Sequence, residues 1–322
     1  MLKIDVFPHI LPRPFYDRLL EVAPAGGLMV KRVQHIPVMI DIDRRFEVMD
    51  RHEGYAQVLT LAAPPLENVA GPDVSPDLAK LANDEMAKLV DRYPDRFPGF
   101  VASLPMNNPE ASMREIERAI NQLGATGVQV FTNVNGQPLD RPEYLQLFER
   151  MADIDLPVWM HPARTADFAD YPGEPRSKFD LWWAFGWPYE TAVAMARLLF
   201  SGHLTRFPGV SLVLAHAGGA LPYALGRLKR NRAIHPDYAD PEEGFRRLYF
   251  DSVLFEPLAL RFLCDLVGAD KIMLGSDYPF GIGDLDPCAL IERTPLTAAE
   301  RDAILGGNAA RIFHIECDCG AG

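Results

Sequence analysis

Short apolar runs alternate with longer amphipathic segments along almost the whole sequence. Each run is five to eight residues long, is rich in β-branched and aromatic side chains, and shows no strict alternation of apolar and polar positions. Continuous runs of this kind are typical of parallel strands that are buried on both faces. The eight predicted strands cover residues 3–7, 56–62, 99–106, 127–132, 156–161, 210–216, 247–253 and 271–277.

The amphipathic segments between these runs predict helices. Segment 108–124 shows its boundaries most clearly, because it begins with Asn108 and Pro109 and ends at Gly124. Asparagine and proline are frequent at helix starts and glycine is frequent just past helix ends. The other clear helical segments cover residues 75–93, 141–154, 189–204 and 256–268.

Eight strands with helices between them predict a distorted (β/α)8 TIM barrel formed by residues 1–322 as one domain. The predicted connections are uneven, with long ones after the first strand (8–55) and after the fifth (162–209). A doubly wound open sheet is the alternative, but no glycine-rich phosphate loop follows any predicted strand. The barrel is therefore the favoured architecture.

Composition and charge narrow the range of partners. The chain is 48% hydrophobic and 24% charged, as in globular proteins, and its net charge of −12 argues against binding to nucleic acid or to anionic membranes. No stretch approaches the ~20 apolar residues of a membrane span. The cysteines, Cys264, Cys288, Cys317 and Cys319, have no spacing typical of zinc sites or disulfide frameworks. We therefore expect a cytoplasmic protein.

Four chemically versatile side chains lie where predicted apolar strands end. They are His9 after the first strand, His161 at the end of the fifth, His216 at the end of the sixth and Asp277 at the end of the eighth. Any one of them alone would suit a packed core residue. The carboxyl ends of barrel strands, however, form one face that carries the active site. Imidazoles and a carboxylate suit a divalent metal, zinc first, and a histidine that is not a ligand could act as acid or base.

Several motifs resemble amidohydrolase family 2, in the branch of aminocarboxymuconate-semialdehyde decarboxylase-like enzymes. The motifs are "VSLVLAHAGGALPYALGRL", "KIMLGSDYPFGIG" and "GGNAARIF". The resemblance implies a (β/α)8 barrel, a metal held by His9, His161 and Asp277, and proton transfer by His216 and Asp277. It also implies that Arg45 holds the carboxylate of a substrate and that the protein is a homodimer.

Two positions depart from the pattern of that family. Phe7 stands where the first histidine of the His-x-His motif on strand one is expected, and phenylalanine cannot bind a metal. His235 stands where related enzymes carry an arginine that reaches across the dimer to the substrate. The metal could be kept at lower affinity, could be lost while His216 and Asp277 still catalyse, or could be lost together with catalysis. We also expect the apolar ring of Phe7 to raise the pKa of Asp277.

Further residues are candidates for substrate contact. Trp183 and Trp187 lie in the segment "FDLWWAFGWPYE" and could form an aromatic wall over a planar substrate, although helix packing explains such a cluster equally well. Asn133 lies in the loop after the fourth strand, and Phe7 would present an apolar ring beside the site.

The resemblance predicts a non-oxidative decarboxylase of a small unsaturated or aromatic carboxylic acid, assisted by zinc, with manganese or magnesium as alternatives. A metal-dependent hydrolase of a lactone, ester or amide would use the same ligands. A catalytically degenerate homologue that only binds ligand is the third possibility.

Overall fold

The computed structural model describes residues 2–23 and 28–316, and eight strand positions make up its central sheet. All neighbouring barrel strands that pair do so in parallel. In order around the barrel the strands are Lys3–Asp5, Tyr55–Leu61, a third strand in two pieces (Gly99–Phe100 and Ala102–Ser103), Val128–Phe131, Val158–His161, Leu212–Leu214, Leu248–Asp251 and Ile272–Met273. The prediction of a (β/α)8 barrel is confirmed.

Backbone hydrogen bonds close the sheet between its first and last strands. The amide of Val6 donates to the carbonyl of Leu274 at 2.9 Å, and the amide of Asp277 donates to the carbonyl of Phe7 at 2.9 Å. The first strand then turns, and its continuation His9–Ile10 pairs with Thr60 and Leu61 of the second strand. The backbone on either side of Phe7 is therefore hydrogen-bonded both to the last strand and to the second strand.

Helices cover the outside of the barrel and fill its long connections. The α-helices are Arg13–Val22, Leu28–Val33, Ile42–Met49, Leu66–Val69, Ser75–Arg92, Pro109–Leu123, Leu145–Asp153, Leu181–Ala184, Gly186–Phe200, His203–Arg206, Leu221–Ile234, Pro241–Phe245, Pro257–Val267, Pro287–Arg293, Ala298–Asp302 and Asn308–Ile312. Short 3₁₀ turns cover Pro37–Met39, Pro142–Tyr144, His216–Gly218 and Ala269–Lys271, and a π turn covers Ala303–Gly307. Asn133–Val134 and Gln137–Pro138 form a small antiparallel ribbon.

Local sequence explains the helix boundaries. The side chain of Asn108 accepts a hydrogen bond from the amide of Ala111 at 3.1 Å, and Gly124 ends the same helix with a φ of 70°. The predicted helix 189–204 is interrupted, because Gly202 adopts a φ of 76° and separates Gly186–Phe200 from His203–Arg206.

Alternate residues of the strands face two different cores. One core lies between the strands and the outer helices. The other lies inside the barrel, where Trp159, Val213 and Met273 pack with Ile312 and Phe313 of the C-terminal segment. Because Trp159 points inward, so does His161 two residues later. The inner core therefore supports the strand ends from below.

In the part of the chain that the structure describes, no helix is both long enough and apolar enough to cross a membrane. Cys264 and Cys288 are buried and carry free thiols. Cys317 and Cys319 lie outside the described residues.

Glu67 is a buried carboxyl group away from the four strand-end residues. It lies in the helix Leu66–Val69 that follows the second strand, is 5% exposed, and its Oε1 has no hydrogen-bond partner. Burial raises its pKa from 4.5 to about 7. The folded chain therefore binds this proton more tightly than the unfolded chain does, so stability is lost as the pH rises from 4.5 to about 7.

We expect Glu67→Gln to remove this pH dependence. The variant and the parent should differ little near pH 4.5, whereas above about pH 7 the variant should be more stable by up to about 3 kcal/mol, because it has no buried carboxylate to ionise. Urea unfolding at both pH values measures the difference. Glu110→Gln, whose parent side chain is 90% exposed, is the control and should show no such change. A difference independent of pH would contradict the assignment.

Candidate active site

The four strand-end residues meet at one end of the barrel. His9 Nε2 lies 3.1 Å from Asp277 Oδ1, and His216 Nε2 lies 3.7 Å from Asp277 Oδ2. The ring of His161 is centred 5.3 Å from that of His9 and 5.8 Å from that of His216. The structure thus brings together all four residues that sequence analysis placed in one cluster, with the Asp277 carboxylate between two imidazoles.

Hydrogen bonds fix the tautomer of His9. The hydroxyl of Thr60 donates to the carbonyl of Pro8 at 2.5 Å, so it can only accept from Nδ1 of His9, 3.1 Å away. Nε2 of a neutral His9 would then point a lone pair at the Asp277 carboxylate. Nε2 of His9 and Oδ1 of Asp277 therefore face each other and could share a bound cation.

His161 is held as a neutral imidazole. Its Nδ1 donates to the carbonyl of Pro162 at 2.6 Å, and its Nε2 is buried without a partner. Burial, together with the neighbouring His9 and His216, holds its pKa well below the ordinary value. A neutral imidazole with one nitrogen fixed and the other free is the form that binds metals.

Phe7 fills the middle of the cluster. It is fully buried, and its ring is centred 4.7 Å from the ring of His9, 5.0 Å from Trp159, 5.6 Å from His161 and 5.2 Å from His216. The ring of Phe7 therefore occupies the space beside His9, His161 and His216, and it has no lone pair that could bind a metal ion.

The expectation that Phe7 raises the pKa of Asp277 is wrong. Burial acts in that direction, but the hydrogen bonds and positive charges of His216 and His9 outweigh it and hold the pKa well below the ordinary value. The same pairing raises the pKa of His216 against the effect of its burial. The geometry thus favours a carboxylate at Asp277 and an imidazolium at His216.

Asp5 holds the eighth strand in position, and sequence analysis did not select it. This fully buried carboxylate accepts hydrogen bonds from the amide and hydroxyl of Ser276 at 3.1 and 2.5 Å, from Tyr55 Oη at 2.6 Å and from the amide of Phe7 at 3.0 Å. Because Ser276 precedes Asp277, these bonds set where the Asp277 carboxylate lies.

Asp251 holds the turn that carries His216. Its carboxylate accepts from the backbone amides of His216 and Ala217 at 2.7 Å each and from Val253 at 3.0 Å. His216 and Ala217 both adopt a φ of 52°, a left-handed conformation that costs energy and persists only where neighbours impose it. Burial raises the pKa of Asp251 to about 6, with the three amides and His216 opposing it. The strand-end rule that found His216 also fits Asp251, the last residue of the seventh strand.

A cavity of about 190 Å³ opens onto this cluster. The His216 ring stacks against Trp187 with centroids 5.6 Å apart, and Trp187 Nε1 donates to the carbonyl of Arg164 at 2.8 Å. The cavity is lined by Trp183, Ala184, Trp187, Pro188, His216, Gly219, Val253, Leu254, Phe255, Asp277 and Ile282. Both predicted aromatic-wall residues and both predicted catalytic residues thus face one space. Residues 253–255 and residue 282 also line the cavity, and the sequence analysis did not predict this.

Arg45 does not lie in this cavity, which corrects its expected contact with a substrate carboxylate. It is fully buried; its guanidinium donates to Gln57 Oε1 at 2.8 Å and to the carbonyl of His9, and it lies 4.9 Å from the ring centre of Tyr278. Burial lowers its pKa to about 10. Its role in the structure is to support the backbone of His9.

Three other candidates also lie outside the cavity lining. Asn133 donates to Glu190 Oε1 at 2.5 Å, alongside Thr132. His235 is exposed at the end of the helix Leu221–Ile234 and stacks on Tyr238 with centroids 5.0 Å apart. Phe7 packs behind the cavity rather than in its wall.

The donor set fits a divalent metal. Nitrogen atoms of His9 and His161 and the Asp277 carboxylate are the ligand types that zinc and manganese accept. Among the described residues, no three acidic, histidine or cysteine side chains are spaced as a preformed metal site. A bound ion would replace the direct contact between His9 and Asp277 and would meet the unpartnered Nε2 of His161.

Comparison with known proteins decides the family. The amidohydrolase family model matches residues 34–315. This chain belongs to the amidohydrolase family. It is 32% identical to a 2-amino-3-carboxymuconate-6-semialdehyde decarboxylase of Dictyostelium discoideum, with 98% of this chain and 92% of that protein covered. It is 33% identical to a gamma-resorcylate decarboxylase of Polaromonas sp., with 86% and 89% covered.

A solved structure supports the same relationship. The crystal structure of a dihydroxybenzoic acid decarboxylase from Polaromonas sp. superimposes with a TM-score of 0.83 at 27% identity, covering 97% of each chain. That structure contains manganese and an inhibitor, 2-nitroresorcinol. The family resemblance inferred from the motifs is confirmed, and these relatives are decarboxylases.

We expect Asp251→Asn to destabilise the chain by about 2–4 kcal/mol, because an amide has one acceptor oxygen for three buried N–H donors. Urea unfolding measures this loss. Asp265→Asn, whose parent side chain is 68% exposed in an ion pair with Arg261, is the control and should cost less than about 1 kcal/mol. Equal losses in the two variants would show that the Asp251 carboxylate does not hold the turn.

Proposed function

We propose that this protein is a non-oxidative decarboxylase of a small aromatic carboxylic acid. The observation that carries the proposal is the pair of His216 and Asp277 at the polar end of an otherwise apolar cavity. The decarboxylase activity of its relatives supports it.

The chemistry requires a proton at the carbon that carries the carboxylate. His216 is the donor that the geometry favours, because Asp277 stabilises its imidazolium. The proton forms a C–H bond at the ring carbon, the C–C bond to the carboxylate then breaks, and its electron pair returns to the ring as CO2 leaves. Asp277 holds the imidazolium in place and stays ionised.

His9, His161 and Asp277 would hold the divalent metal, zinc or manganese. When bound, the metal supplies a Lewis acid that polarises oxygen atoms of an acid substrate. Thr60 and the carbonyl of Pro162 keep the two imidazoles in the tautomer that presents Nε2 to the ion. Trp187 stacks on His216 and orients it toward the cavity.

We propose a cytoplasmic location, with which the buried free thiols of Cys264 and Cys288 are consistent. We also propose a homodimer, by analogy with the family.

We expect the protein to release CO2 from hydroxylated aromatic acids and expect His216→Asn to lower kcat by about 10²–10⁴-fold, since it removes the proton donor. Infrared detection of CO2, with chromatography of the remaining product, separates decarboxylation from hydrolysis. His314→Asn is the matched control, because His314 is exposed and should not affect the rate. A ring-opened acid without CO2 would indicate a hydrolase, and full activity of His216→Asn would remove His216 from the mechanism.

We expect Phe7→His to bind zinc or manganese more tightly than the parent chain, by about tenfold or more, because it adds a ligand beside His9 and His161. Elemental analysis after purification without chelator gives the stoichiometry, and competition with a chromogenic chelator gives the affinity. Phe7→Leu is the control for lost packing. If neither the parent chain nor Phe7→His retains metal, then His9, His161 and Asp277 do not form a metal site.

A further inference from the structure

Three tryptophans lie together at the cavity, and they are held in different ways. Trp187 Nε1 donates to the carbonyl of Arg164 at 2.8 Å, and Trp182 Nε1 donates to Asp180 Oδ1 at 3.2 Å. Both of these tryptophan side chains are buried. Trp183 is half-buried and lines the cavity together with Trp187. Among the described residues, contacts to the ring of Trp183 hold its indole, rather than a hydrogen bond from its N–H.

Arg32 lies directly against the ring of Trp183. Its guanidinium carbon is 4.0 Å from the ring centre of Trp183 and 5.5 Å from that of Trp182. The electrons of an indole face attract a guanidinium, and the flat shape of the guanidinium matches the ring. Arg32 therefore restricts how far the ring of Trp183 can turn.

A salt bridge holds Arg32 in this place. Its Nη2 donates to Asp180 Oδ1 at 2.7 Å, and the same oxygen accepts from Trp182 Nε1. Asp180 immediately precedes the helix Leu181–Ala184, which carries both Trp182 and Trp183. Arg32 itself belongs to a segment 148 residues earlier in the chain. The salt bridge thus fastens the tryptophan helix to a distant part of the sequence.

The turn before the tryptophan helix is strained. Phe179 and Asp180 both adopt a φ of 55°, a left-handed conformation that is unusual for phenylalanine. Such a conformation persists only where neighbours impose it. The amide of Lys178 donates to Asp170 Oδ2 at 2.8 Å on one side of the turn, and Arg32 holds Asp180 on the other. Loss of Arg32 would therefore remove a restraint on the turn as well as the contact with the ring.

The proposed proton donor is held independently of this salt bridge. The ring of His216 stacks on Trp187, whose indole N–H has its own hydrogen bond, and the turn that carries His216 is held by Asp251. Trp183 meets Trp187 at an angle of 72°, with centroids 6.3 Å apart. A displacement of Trp183 would therefore change the cavity wall and leave the reacting groups in place.

We infer that Arg32 is a positioning residue for the substrate, because it holds Trp183 in the cavity wall and thereby sets how tightly a ligand is bound. This inference rests on the function proposed above for this cavity and adds to it a residue that lies outside the cavity lining. A wall side chain that is already fixed loses less freedom when a ligand binds. Removing Arg32 should therefore weaken binding without slowing the chemical step.

Arg32→Met tests the inference, with salicylate as the probe. Methionine keeps an unbranched side chain but has neither the charge nor the flat group. We expect the Kd for salicylate, measured by isothermal titration calorimetry on the protein as purified, to rise by about three- to tenfold. For an acid that the protein turns over, KM should rise by a similar factor, with kcat within about twofold of the parent value.

Tryptophan fluorescence without ligand reports on Trp183 directly. Trp159, Trp182 and Trp187 are at most 4% exposed, so that Trp183 accounts for most of the accessible signal of the four tryptophans. The Stern–Volmer constant for acrylamide quenching should rise in Arg32→Met, because the guanidinium no longer covers the ring.

A control and a second variant separate this role from a loss of folding. Arg18→Met is the matched control, because Arg18 is 51% exposed and pairs with Glu21 at the surface, and it should change neither measurement. The urea midpoint of Arg32→Met should stay close to that of the parent, since Arg32 and Asp180 form a partly exposed pair. Asp180→Asn weakens the hold on Arg32 but keeps an acceptor oxygen for Trp182 Nε1, so it should raise the Kd by a smaller factor.

Four outcomes would overturn the inference. They are an unchanged Kd in either variant at a urea midpoint like that of the parent, an equal rise in Arg18→Met, no binding of salicylate to the parent chain, and a fall in kcat at unchanged KM in Arg32→Met. The proposed function fails separately. A raised Kd without CO2 release from any acid would support the role of Arg32 and count against the decarboxylase, whereas CO2 release with an unchanged KM in Arg32→Met would do the reverse.

Discussion

The site depends on the way the eighth strand closes against the first. Asp277 donates its amide to the carbonyl of Phe7, and Asp5 accepts from both the amide and the hydroxyl of Ser276. These bonds lock the backbone on either side of Asp277, whose φ of 56° would otherwise relax. Only with the backbone held there can one carboxylate face His9 on one side and His216 on the other. Since Asp5 is fully buried, removing its partners would leave a buried charge, so the closure is also costly to break.

Phe7 has two opposite effects on a cation in this site. It removes a possible ligand, which lowers affinity for a metal. Its ring also helps to bury His9 and His161, and in such surroundings the attraction between a cation and the Asp277 carboxylate is stronger. The ring packs on Trp159 of the inner core, so its replacement by histidine would exchange packing for a ligand. The residue at position 7 therefore adjusts how tightly a cation is held, while the tautomers of His9 and His161 are set elsewhere, by Thr60 and Pro162.

The sequence revealed the four strand-end residues and the two tryptophans of the cavity wall, and it missed the supporting residues Asp5 and Asp251 and the wall residues that lie on loops. His9, His161, His216 and Asp277 could be found because barrel geometry brings strand ends together, and Asp251 could have been found by the same rule. Arg45 was misplaced because its role was taken from the family resemblance, which does not show which way a long buried side chain turns. Leu254, Phe255 and Ile282 lie in irregular segments without a period, so nothing in the sequence indicated that they form a wall.

Charge balance links the cations of the site to the carboxylate of an acid substrate. An acid substrate brings a negative charge into a cavity that Asp277 already makes negative. The imidazolium of His216 faces the cavity on one side of Asp277, and a cation held between His9 and Asp277 would lie on the other. These charges offset Asp277 and the carboxylate of the substrate. The same arrangement that keeps Asp277 ionised thus lets the site accept an acid.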